Sequence, residues 1–465
     1  MTTRSPRPSA AVAALVLAAL AAAVVAAAPA SAAVPRIAGG APADIASVPW
    51  QVYVANAVQG TACGGAVLDE RRVLTAAHCL EHGSAAGVTV VAGLSDVSGW
   101  APGRTPPGGQ AVAAASVRLH PGYLADPPAD DVAVIELAAP LDLSGAAPRP
   151  IPLAPAGGAP APGTALLVSG YGRHGADAPA GGRLFAATVT ALPPFACLAA
   201  VAPNRSAGAL CATAGDGAPC FGDSGGPLAA GGVLVGIVST GASAAACAGR
   251  SPDVYVDVAA PEIRAFIDGA DDPPRAPRLT APPRLRSVNP PVVGSPMRCE
   301  AGAWSGAGAI AYAFVDAATG AVLQQGPRAA FVPGRAQVGV TVACMVEAAG
   351  AGGVSRARTG TAPAIRPDAV APQAVLRSVR CRAGRCVVRL QAADRNSTGP
   401  LRVRVTARPA GARRAVRLQA RHAGGVDWVA SGRVPRGRAV VRVEVRDAAG
   451  NRAAGPSLTR TVRVR

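Results

Sequence analysis

Three short segments carry side chains that together could perform nucleophilic catalysis. They are Thr75-Ala76-Ala77-His78-Cys79, Asp130-Asp131-Val132-Ala133-Val134 and Cys220-Phe221-Gly222-Asp223-Ser224-Gly225-Gly226-Pro227. A serine hydroxyl is a weak nucleophile at neutral pH, so it needs a base such as imidazole to accept its proton. The base in turn needs a carboxylate that fixes its tautomer and stabilises the imidazolium. His78, Asp131 and Ser224 are therefore candidates for base, orienting carboxylate and nucleophile.

The small residues around Ser224 suit this chemistry, because they allow a sharp turn that points backbone N–H groups at a developing oxyanion. Taken alone, the Gly-x-Ser-x-Gly pattern also matches the nucleophile elbow of α/β-hydrolases. Chain order separates the two, since an elbow serine is followed by its acid and histidine, whereas His78 and Asp131 precede Ser224. With this order and these flanking residues, Ile37 to Asp268 resembles the trypsin/chymotrypsin family of serine proteases.

The resemblance implies an all-β fold for residues 37–268, a trypsin-like double six-stranded β-barrel. It makes His78 the general base, Asp131 the orienting carboxylate and Ser224 the nucleophile, with the N–H groups of Gly222 and Ser224 as oxyanion hole. Asp130 is the alternative to Asp131. We prefer Asp131 because it directly precedes the Val-Ala-Val-Ile strand, as the family's aspartate does.

An activation junction is also implied. Arg36-Ile37-Ala38-Gly39-Gly40 resembles the family's cleavage site, which makes residues 33–36 a short propeptide. In the family, the freed ammonium, here of Ile37, pairs with the carboxylate next to the nucleophile, here Asp223. A buried and uncompensated carboxylate is costly, so the uncut chain should keep its oxyanion loop disordered. The alternative is that Arg36 is an ordinary residue after a leader.

The cysteines fit the same frame. The resemblance implies three disulfides, Cys63–Cys79, Cys197–Cys211 and Cys220–Cys247. Metal ligation is the alternative, but the sequence has no Cys-x-x-Cys pair and no histidine cluster. The segment from Val91 to Ala115 also lacks acids placed like the family's calcium loop. We expect no metal and no cofactor.

Substrate preference is less clearly written in the sequence. Ala218 stands six residues before the nucleophile, where trypsin-type enzymes carry the pocket aspartate. Asp253 stands where the family usually has a pocket-wall glycine, so its carboxylate could favour Arg or Lys at P1 or, turned away, narrow the pocket. Thr240 replaces the family's usual tryptophan, and with Ser239 and Gly241 it should offer backbone bonds to a peptide strand.

The N-terminus resembles an export signal. Residues 1–32 begin with Arg4 and Arg7, continue in an Ala/Val/Leu run and end in Ala30-Ser31-Ala32, a small-x-small cleavage pattern. A membrane anchor is the alternative, because the run is nearly long enough to span a bilayer. We expect secretion, which also agrees with an even number of cysteines in an oxidising compartment.

The C-terminal half is predicted to form two small β-sandwich modules. Pro- and Arg-rich linkers at 269–286 and 363–373 bound a first module at 287–362 and a second at 374–465. The first is similar to bacterial Ig-like repeats, with Gly302-Ala303-Trp304-Ser305-Gly306 and an implied Cys299–Cys344 disulfide. The second ends in a turn that resembles bacterial fibronectin-like or Ig-like domains. Its Cys381 and Cys386 could close a hairpin or, as the alternative, form a redox pair.

Charge divides the chain. All 45 basic residues are arginine, and residues 37–268 carry a net charge of −7 whereas residues 269–465 carry +22. Arginine alternating with valine places arginines on one strand face, which is either a solvated face coloured by codon bias or a surface that retains the protein on anionic envelope polymers. Nucleic acid is a less suitable partner, because secretion separates the protein from nucleic acid. Aromatic residues, on which bases could stack, also make up only 3% of the chain.

Two functions from different classes follow. The first is a secreted, monomeric serine endopeptidase that acts on protein or peptide substrates. The second is an extracellular adhesive protein whose protease-like domain binds without cutting. The complete set of His78, Asp131 and Ser224, together with the junction at Arg36, favours the enzyme.

Overall fold

The computed structural model describes residues 37, 40–126, 128–173, 182–198, 208–214, 217–240, 252–394, 400–455 and 458–465. The expected leader 1–32, the propeptide 33–36, Gly241 and Cys247 lie outside the described residues. Within these ranges no helix is long and apolar enough to cross a bilayer.

The first barrel is a closed antiparallel sheet, and a short strand, β1 (Ala41–Pro42), precedes it. Its six strands are β2 (Gln51–Asn56), β3 (Thr61–Val67), β4 (Arg72–Thr75), β5 (Val88–Ala92), β6 (Gln110–Leu119) and β7 (Ala133–Leu137). They pair in the order β2-β3-β4-β7-β6-β5. Valine and alanine fill the interior, as the low aromatic content predicts.

The second barrel is formed by β8 (Ala165–Gly170), β9 (Phe185–Ala191), β10 (Ala209–Ala214), β11 (Pro227–Ala230), β12 (Val233–Thr240) and β13 (Asp253–Asp257). The pairing of β8 with β9 closes the ring, and β1 adds to the outside of β9. Two helices accompany it, α1 (Pro194–Cys197) and α2 (Pro261–Ile267). Single 3-10 turns lie at Ile45–Ser47, Ala77–Leu80 and Arg335–Gln337. The two closed barrels confirm the predicted fold class.

The middle module contains nine strands. They are β14 (Arg278–Ala281), β15 (Arg284–Arg286), β16 (Met297–Glu300), β17 (Ala303–Ser305), β18 (Ala309–Asp316), β19 (Val322–Gly326), β20 (Ala330–Phe331), β21 (Val342–Gly350) and β22 (Gly353–Arg358). The sheets β19-β18-β21-β22 and β15-β16-β20 enclose a core around Phe314 and Phe331. Strands β14 and β15 fall inside the stretch predicted as a linker, so ordered structure begins earlier than its proline content suggested. The prolines of this stretch stand before and between the two strands, at positions 273, 274, 277, 282 and 283, so none of them interrupts a strand.

The last module is one seven-stranded sheet. Its strands are β23 (Gln373–Arg382), β24 (Arg385–Ala393), β25 (Arg402–Pro409), β26 (Val416–Gly424), β27 (Asp427–Arg433), β28 (Gly437–Arg446) and β29 (Thr459–Val464). The order is β23-β24-β27-β26-β25-β28-β29, and the sheet bends so that both halves cover one core of valine, leucine and alanine. Arginines alternate with these core residues and face solvent, as predicted.

Four of the five expected disulfides are formed, Cys63–Cys79, Cys197–Cys211, Cys299–Cys344 and Cys381–Cys386. Cys381 and Cys386 lie directly opposite each other at the end of the β23–β24 hairpin. Cys220 is also disulfide-bonded, while its expected partner Cys247 lies outside the described residues.

The middle module packs on the second barrel through an apolar contact. Phe195 and Leu198, at the end of α1, are each only 6% exposed. They pack in one cluster with residues of the middle module, Ala313, Val315, Ala343 and Met345. The two units therefore share a small hydrophobic core rather than being joined by a free tether.

Contacts of Glu262 and Asp130 also join the barrel region to the C-terminal half, and both acids belong to the barrel region. Glu262 of α2 accepts hydrogen bonds from Ala276 N (2.7 Å) and Arg275 Nη1 (3.3 Å). Asp130 Oδ2 lies 3.9 Å from Arg278 Nη2. Opposite charges of the acidic barrel region and the basic C-terminal half thus meet at these contacts.

The shared core leads to a stability prediction. Replacing Phe195 with alanine removes a buried ring at the junction and should lower the free energy of unfolding by about 3–5 kcal/mol. Denaturant unfolding of the full chain measures this change. The matched control is Phe221→Ala, since Phe221 is 56% exposed, and it should change stability by about 0.5 kcal/mol or less. Equal effects of the two substitutions would contradict the shared core.

Candidate active site

Strand pairing brings two of the three candidate residues together. His78 lies in the 3-10 turn that follows β4, and Asp131 lies two residues before β7. The end of β4 is paired with the start of β7, with Thr75 opposite Ala133. The segments that continue from these paired ends therefore start side by side, which brings the imidazole within reach of the carboxylate.

Asp131 is a buried carboxylate with three donors. Its Oδ2 lies 2.8 Å from His78 Nδ1 and accepts a hydrogen bond of 2.6 Å from Ser239 Oγ. Its Oδ1 accepts from the backbone N of His78 at 2.9 Å. Burial alone would raise the pKa of Asp131, but these bonds and the adjacent imidazole hold the pKa below its ordinary value. The carboxylate is therefore ionised at neutral pH.

The pKa of His78 is shifted upward, opposite to the shift of Asp131. Burial of the ring lowers the pKa of His78, but the hydrogen bond and charge of Asp131 outweigh it, so the pKa lies above its usual value. With Nδ1 directed at Asp131, the other ring nitrogen, Nε2, is left to accept a proton. Asp130, the alternative carboxylate, instead places its Oδ2 3.9 Å from His120 Nδ1.

Ser224 lies in the turn that leads into β11, and glycines allow this turn to pack tightly against the first barrel. Gly64 N donates to Ser224 O at 2.7 Å. Gly225 has φ of +75°, and a Cβ there would come within 2.2 Å of Thr75 Oγ1. Among the described residues no hydrogen bond joins Ser224 Oγ to His78 Nε2, and such bonds often form only when substrate binds.

The backbone around Ser224 leaves two N–H groups available. The N–H groups of Gly222 and Ser224 make no hydrogen bond within the described part of the chain. The other three N–H groups of residues 222–226 donate to carbonyls, those of Cys220, Asp223 and Val238. Gly222 has φ of +95°, a conformation that favours glycine. Two free donors flanking one serine are what a developing oxyanion requires.

Asp223 is completely buried beside this turn. Its Oδ1 accepts from Gly172 N (2.8 Å) and its Oδ2 from Cys220 N (2.9 Å). Burial raises the pKa of Asp223 to about 6, and the two N–H donors counter it only in part. Ile37 is 2% exposed and belongs to the core of the same barrel. Arg36 lies outside the described residues.

The residues expected to line the specificity pocket include a second buried carboxylate with few hydrogen-bond donors, that of Asp253. Ala218 is fully buried, and Asp253, at the start of β13, is 2% exposed. Burial raises the pKa of Asp253 to about 7. Asp253 Oδ2 has no hydrogen-bond partner among the described residues, and neither has the hydroxyl of Tyr255 two residues further along the strand. Ser239 and Thr240 end β12 beside this strand, and Gly241 lies outside the described residues.

Sequence reasoning assigned Ser239 only to substrate binding, whereas its hydroxyl also donates to Asp131. The two residues are 108 positions apart and belong to different barrels, so no local pattern could reveal the bond. The tight approach of Gly64 to the serine turn was missed for the same reason. No metal ligands were predicted, and the carboxylate of Asp131 is occupied by protein donors.

Comparisons with known proteins identify relatives of residues 37–267. The family model described as Trypsin matches residues 37–267. Trypsin beta of Drosophila erecta is 34% identical over 236 residues, which cover 50% of this chain and 87% of that protein. Trypsin alpha of the same fly is 36% identical over 228 residues, or 48% of this chain and 84% of that protein.

Among solved structures, the scabies mite inactivated protease paralogue S-D1 is similar, with a TM-score of 0.44 and 26% identity. The similarity covers 50% of this chain and 99% of that one. It is the sequence identity to trypsins over nearly their whole length that decides the assignment. This chain, through residues 37–267, belongs to the trypsin family of serine proteases.

Proposed function

We propose that the protein is a secreted serine endopeptidase in which His78, Asp131 and Ser224 form the catalytic triad. The observation that carries this proposal is the buried Asp131 carboxylate bonded to His78 Nδ1, because it orients the opposite ring nitrogen as a base. The leader at 1–32 and the disulfides support export to an oxidising compartment.

The reaction follows from the groups in place. Ser224 Oγ attacks the scissile carbonyl carbon while His78 Nε2 takes the hydroxyl proton, and Asp131 stabilises the resulting imidazolium. The carbonyl oxygen becomes an oxyanion that accepts from the N–H groups of Gly222 and Ser224. Collapse expels the amine, which takes its proton from His78. Water then attacks the acyl-enzyme by the same steps and releases the acid and Ser224.

The chain is made as a precursor that is activated by cleavage after Arg36. Asp223 supports this proposal, because a fully buried carboxylate with only two backbone donors is poorly compensated in the uncut chain. Cleavage frees the ammonium of Ile37, which pairs with Asp223 and stabilises the adjacent oxyanion turn. The new ion pair favours the ionised form of Asp223.

A basic side chain at P1 is the proposed preference. Asp253 is buried in β13, and among the described residues no positively charged neighbour lowers its pKa. An Arg or Lys side chain in the pocket would supply the missing cation through a charge-assisted bond. The N–H and C=O groups of Ser239, Thr240 and Gly241 would hold the substrate backbone as an added strand.

The last module is proposed to retain the secreted enzyme on anionic polymers of the cell envelope. It holds 22 arginines against four acidic residues, a net charge of +18. This part of the proposal concerns location and does not alter the chemistry at Ser224.

Serine-directed labelling tests the enzymatic proposal. The full chain should react with a fluorophosphonate only after cleavage at Arg36, and Ser224→Ala should abolish labelling. The matched control is Arg36→Gln treated with the same activating protease. It should keep the propeptide, residues 33–36, and stay unlabelled. A cleaved chain that begins at Ile37 and remains unlabelled would overturn the peptidase in favour of a protein that binds without cutting.

The pKa of Asp223 predicts how the stability of the uncut chain depends on pH. The folded pKa of about 6 lies above the ordinary value of 3.8. The stability that protonated Asp223 contributes is therefore complete below about pH 4 and is lost as pH rises through about 6. Ionised Asp223 costs the folded chain about 3 kcal/mol, because each tenfold change in proton affinity corresponds to about 1.4 kcal/mol.

Asp223→Asn should remove that loss. We expect the variant to gain about 3 kcal/mol relative to its parent between pH 4 and pH 8, measured by urea unfolding of chains that also carry Arg36→Gln and Ser224→Ala. A stability difference that stays constant with pH would contradict the assignment. After cleavage of an otherwise native chain, the same substitution should abolish activity, because the Ile37 ammonium loses its partner.

The pKa of Asp253 gives a separate prediction for specificity. The ratio of kcat/KM for an Arg-P1 peptide to that for an Ala-P1 peptide should rise tenfold or more as pH rises through about 7. Ionisation of His78 affects both substrates and cancels in the ratio. Asp253→Asn keeps the shape of the side chain without its charge and should give a low ratio at every pH. A ratio that does not change with pH in the parent enzyme would contradict the proposed preference for a basic P1 side chain.

A further inference from the structure

Strand directions in the last module separate its charges. Strand β23 begins next to the linker, and Asn451 Nδ2 donates to Asp368 O of that linker at 2.7 Å, so both mark the linker end. The β23–β24 turn lies at the opposite end. Antiparallel pairing places the β25–β26 turn, the β27–β28 connection and residue 465 there as well.

We call this opposite end the distal tip, consisting of residues 382–385, 408–415, 433–438 and 463–465. Backbone hydrogen bonds join its segments, since Gly384 N donates to Arg465 O (3.0 Å), Val434 N to Gly384 O (2.8 Å) and Ala410 N to Arg438 O (2.7 Å). Four separate stretches of chain thus form one continuous surface.

Ten arginines lie in the distal tip, and all are exposed. They are Arg382, Arg385, Arg408, Arg413, Arg414, Arg433, Arg436, Arg438, Arg463 and Arg465. The tip contains no acidic side chain. The module's four acidic residues, Asp394, Asp427, Glu444 and Asp447, all lie towards the linker end. Codon bias could explain many arginines, but it does not explain why every acid is at the other end.

Arginines of the tip also stand directly opposite one another across strands. The paired positions are Arg382 with Arg385, Arg385 with Arg433, and Arg438 with Arg463. Like charges at such positions destabilise a sheet, typically by a few tenths of a kcal/mol or more for each pair. Within the described residues, none of the ten side chains makes an ion pair, whereas Arg446 and Arg452 near the linker end share Glu444.

We infer that the distal tip is a binding site for a linear polymer of phosphate groups. A guanidinium binds phosphate through two parallel hydrogen bonds, and a phosphate placed between opposed arginines removes their repulsion. Outward side chains repeat at about 7 Å along a strand and about 5 Å across strands, so a chain of closely spaced phosphates meets several of them. The inference rests on the retention proposed above but not on the peptidase activity.

Other anionic surfaces fit the tip less well. The tip has no aromatic residue on which nucleobases could stack. It also exposes no large apolar side chain that could enter a bilayer, since Val434 and Val464 are buried. Charge is the only feature it presents, and a polymer that offers only closely spaced charge is its complement.

The test uses the full chain carrying Ser224→Ala and fluorescein-labelled linear inorganic polyphosphate, followed by anisotropy at physiological ionic strength. The tip variant replaces Arg382, Arg385 and Arg433 with glutamine. The control variant replaces Arg389, Arg402 and Arg421 with glutamine. These three arginines are exposed, as those of the tip are, but lie outside the tip. We expect the tip variant to bind at least tenfold more weakly and the control to stay within twofold of the parent.

Two further measurements separate binding from folding. Relief of like-charge pairs should leave the tip variant at least as heat-stable as its parent, while the added polyphosphate should raise the Tm of the parent more than that of the variant. The salt dependence of binding should also become shallower by about two in the slope, at roughly 0.7 per lost contact.

Several outcomes would overturn the inference. If the tip and control variants lose affinity for polyphosphate equally, net charge alone attracts the polymer and the tip is not a site. If the parent chain does not bind polyphosphate, the tip is not a binding site for it. Tighter binding to duplex DNA, or to vesicles of phosphatidylcholine and phosphatidylglycerol, would assign the surface to nucleic acid or to a membrane instead.

Discussion

The hydrogen bonds to the buried carboxylate of Asp131 are the interaction on which the proposed active site depends, because they join the two barrels. His78 and Asp131 come from the first barrel, while Ser239, which donates to the same oxygen, comes from the second. An ionised carboxylate is stable in a buried position only when strong donors surround it. The Ser239 bond that helps to keep Asp131 charged therefore also connects the first barrel to the second, which carries Ser224.

Three buried aspartates show how the number and kind of donors set the charge. Asp131 has an imidazole, a hydroxyl and a backbone N–H, and its pKa is lowered. Asp223 has two backbone N–H donors, and burial raises its pKa to about 6. Asp253 has an oxygen without a donor among the described residues, and its pKa rises to about 7. The last two are the residues for which the proposed function supplies a cation, from the chain's own new N-terminus or from substrate.

The three local patterns, in their chain order, resemble the trypsin family, and this resemblance predicted the two barrels, which the structure confirms, and assigned roles to His78, Asp131 and Ser224. Resemblance to known families also implied three of the disulfides, whereas the closeness of Cys381 and Cys386 in the sequence left a hairpin and a redox pair open. Contacts between distant segments were not predictable, such as Ser239 with Asp131 or Phe195 with the middle module. They depend on how sheets pack, which leaves no local signature. The strands within the predicted linker were missed because its prolines flank the two short strands and do not interrupt them.

The division of charge along the chain has a structural meaning that its total of +18 conceals. At the junction, acids of the barrels meet arginines of the C-terminal half, so part of the opposite charge is neutralised internally. The same does not happen at the distal tip, because the few acids of the last module lie towards the linker end. Within the described residues none of the ten arginines of the tip makes an ion pair, so their mutual repulsion is not compensated. Folding leaves that repulsion in place, so an external polyanion that binds there stabilises the module as it is captured.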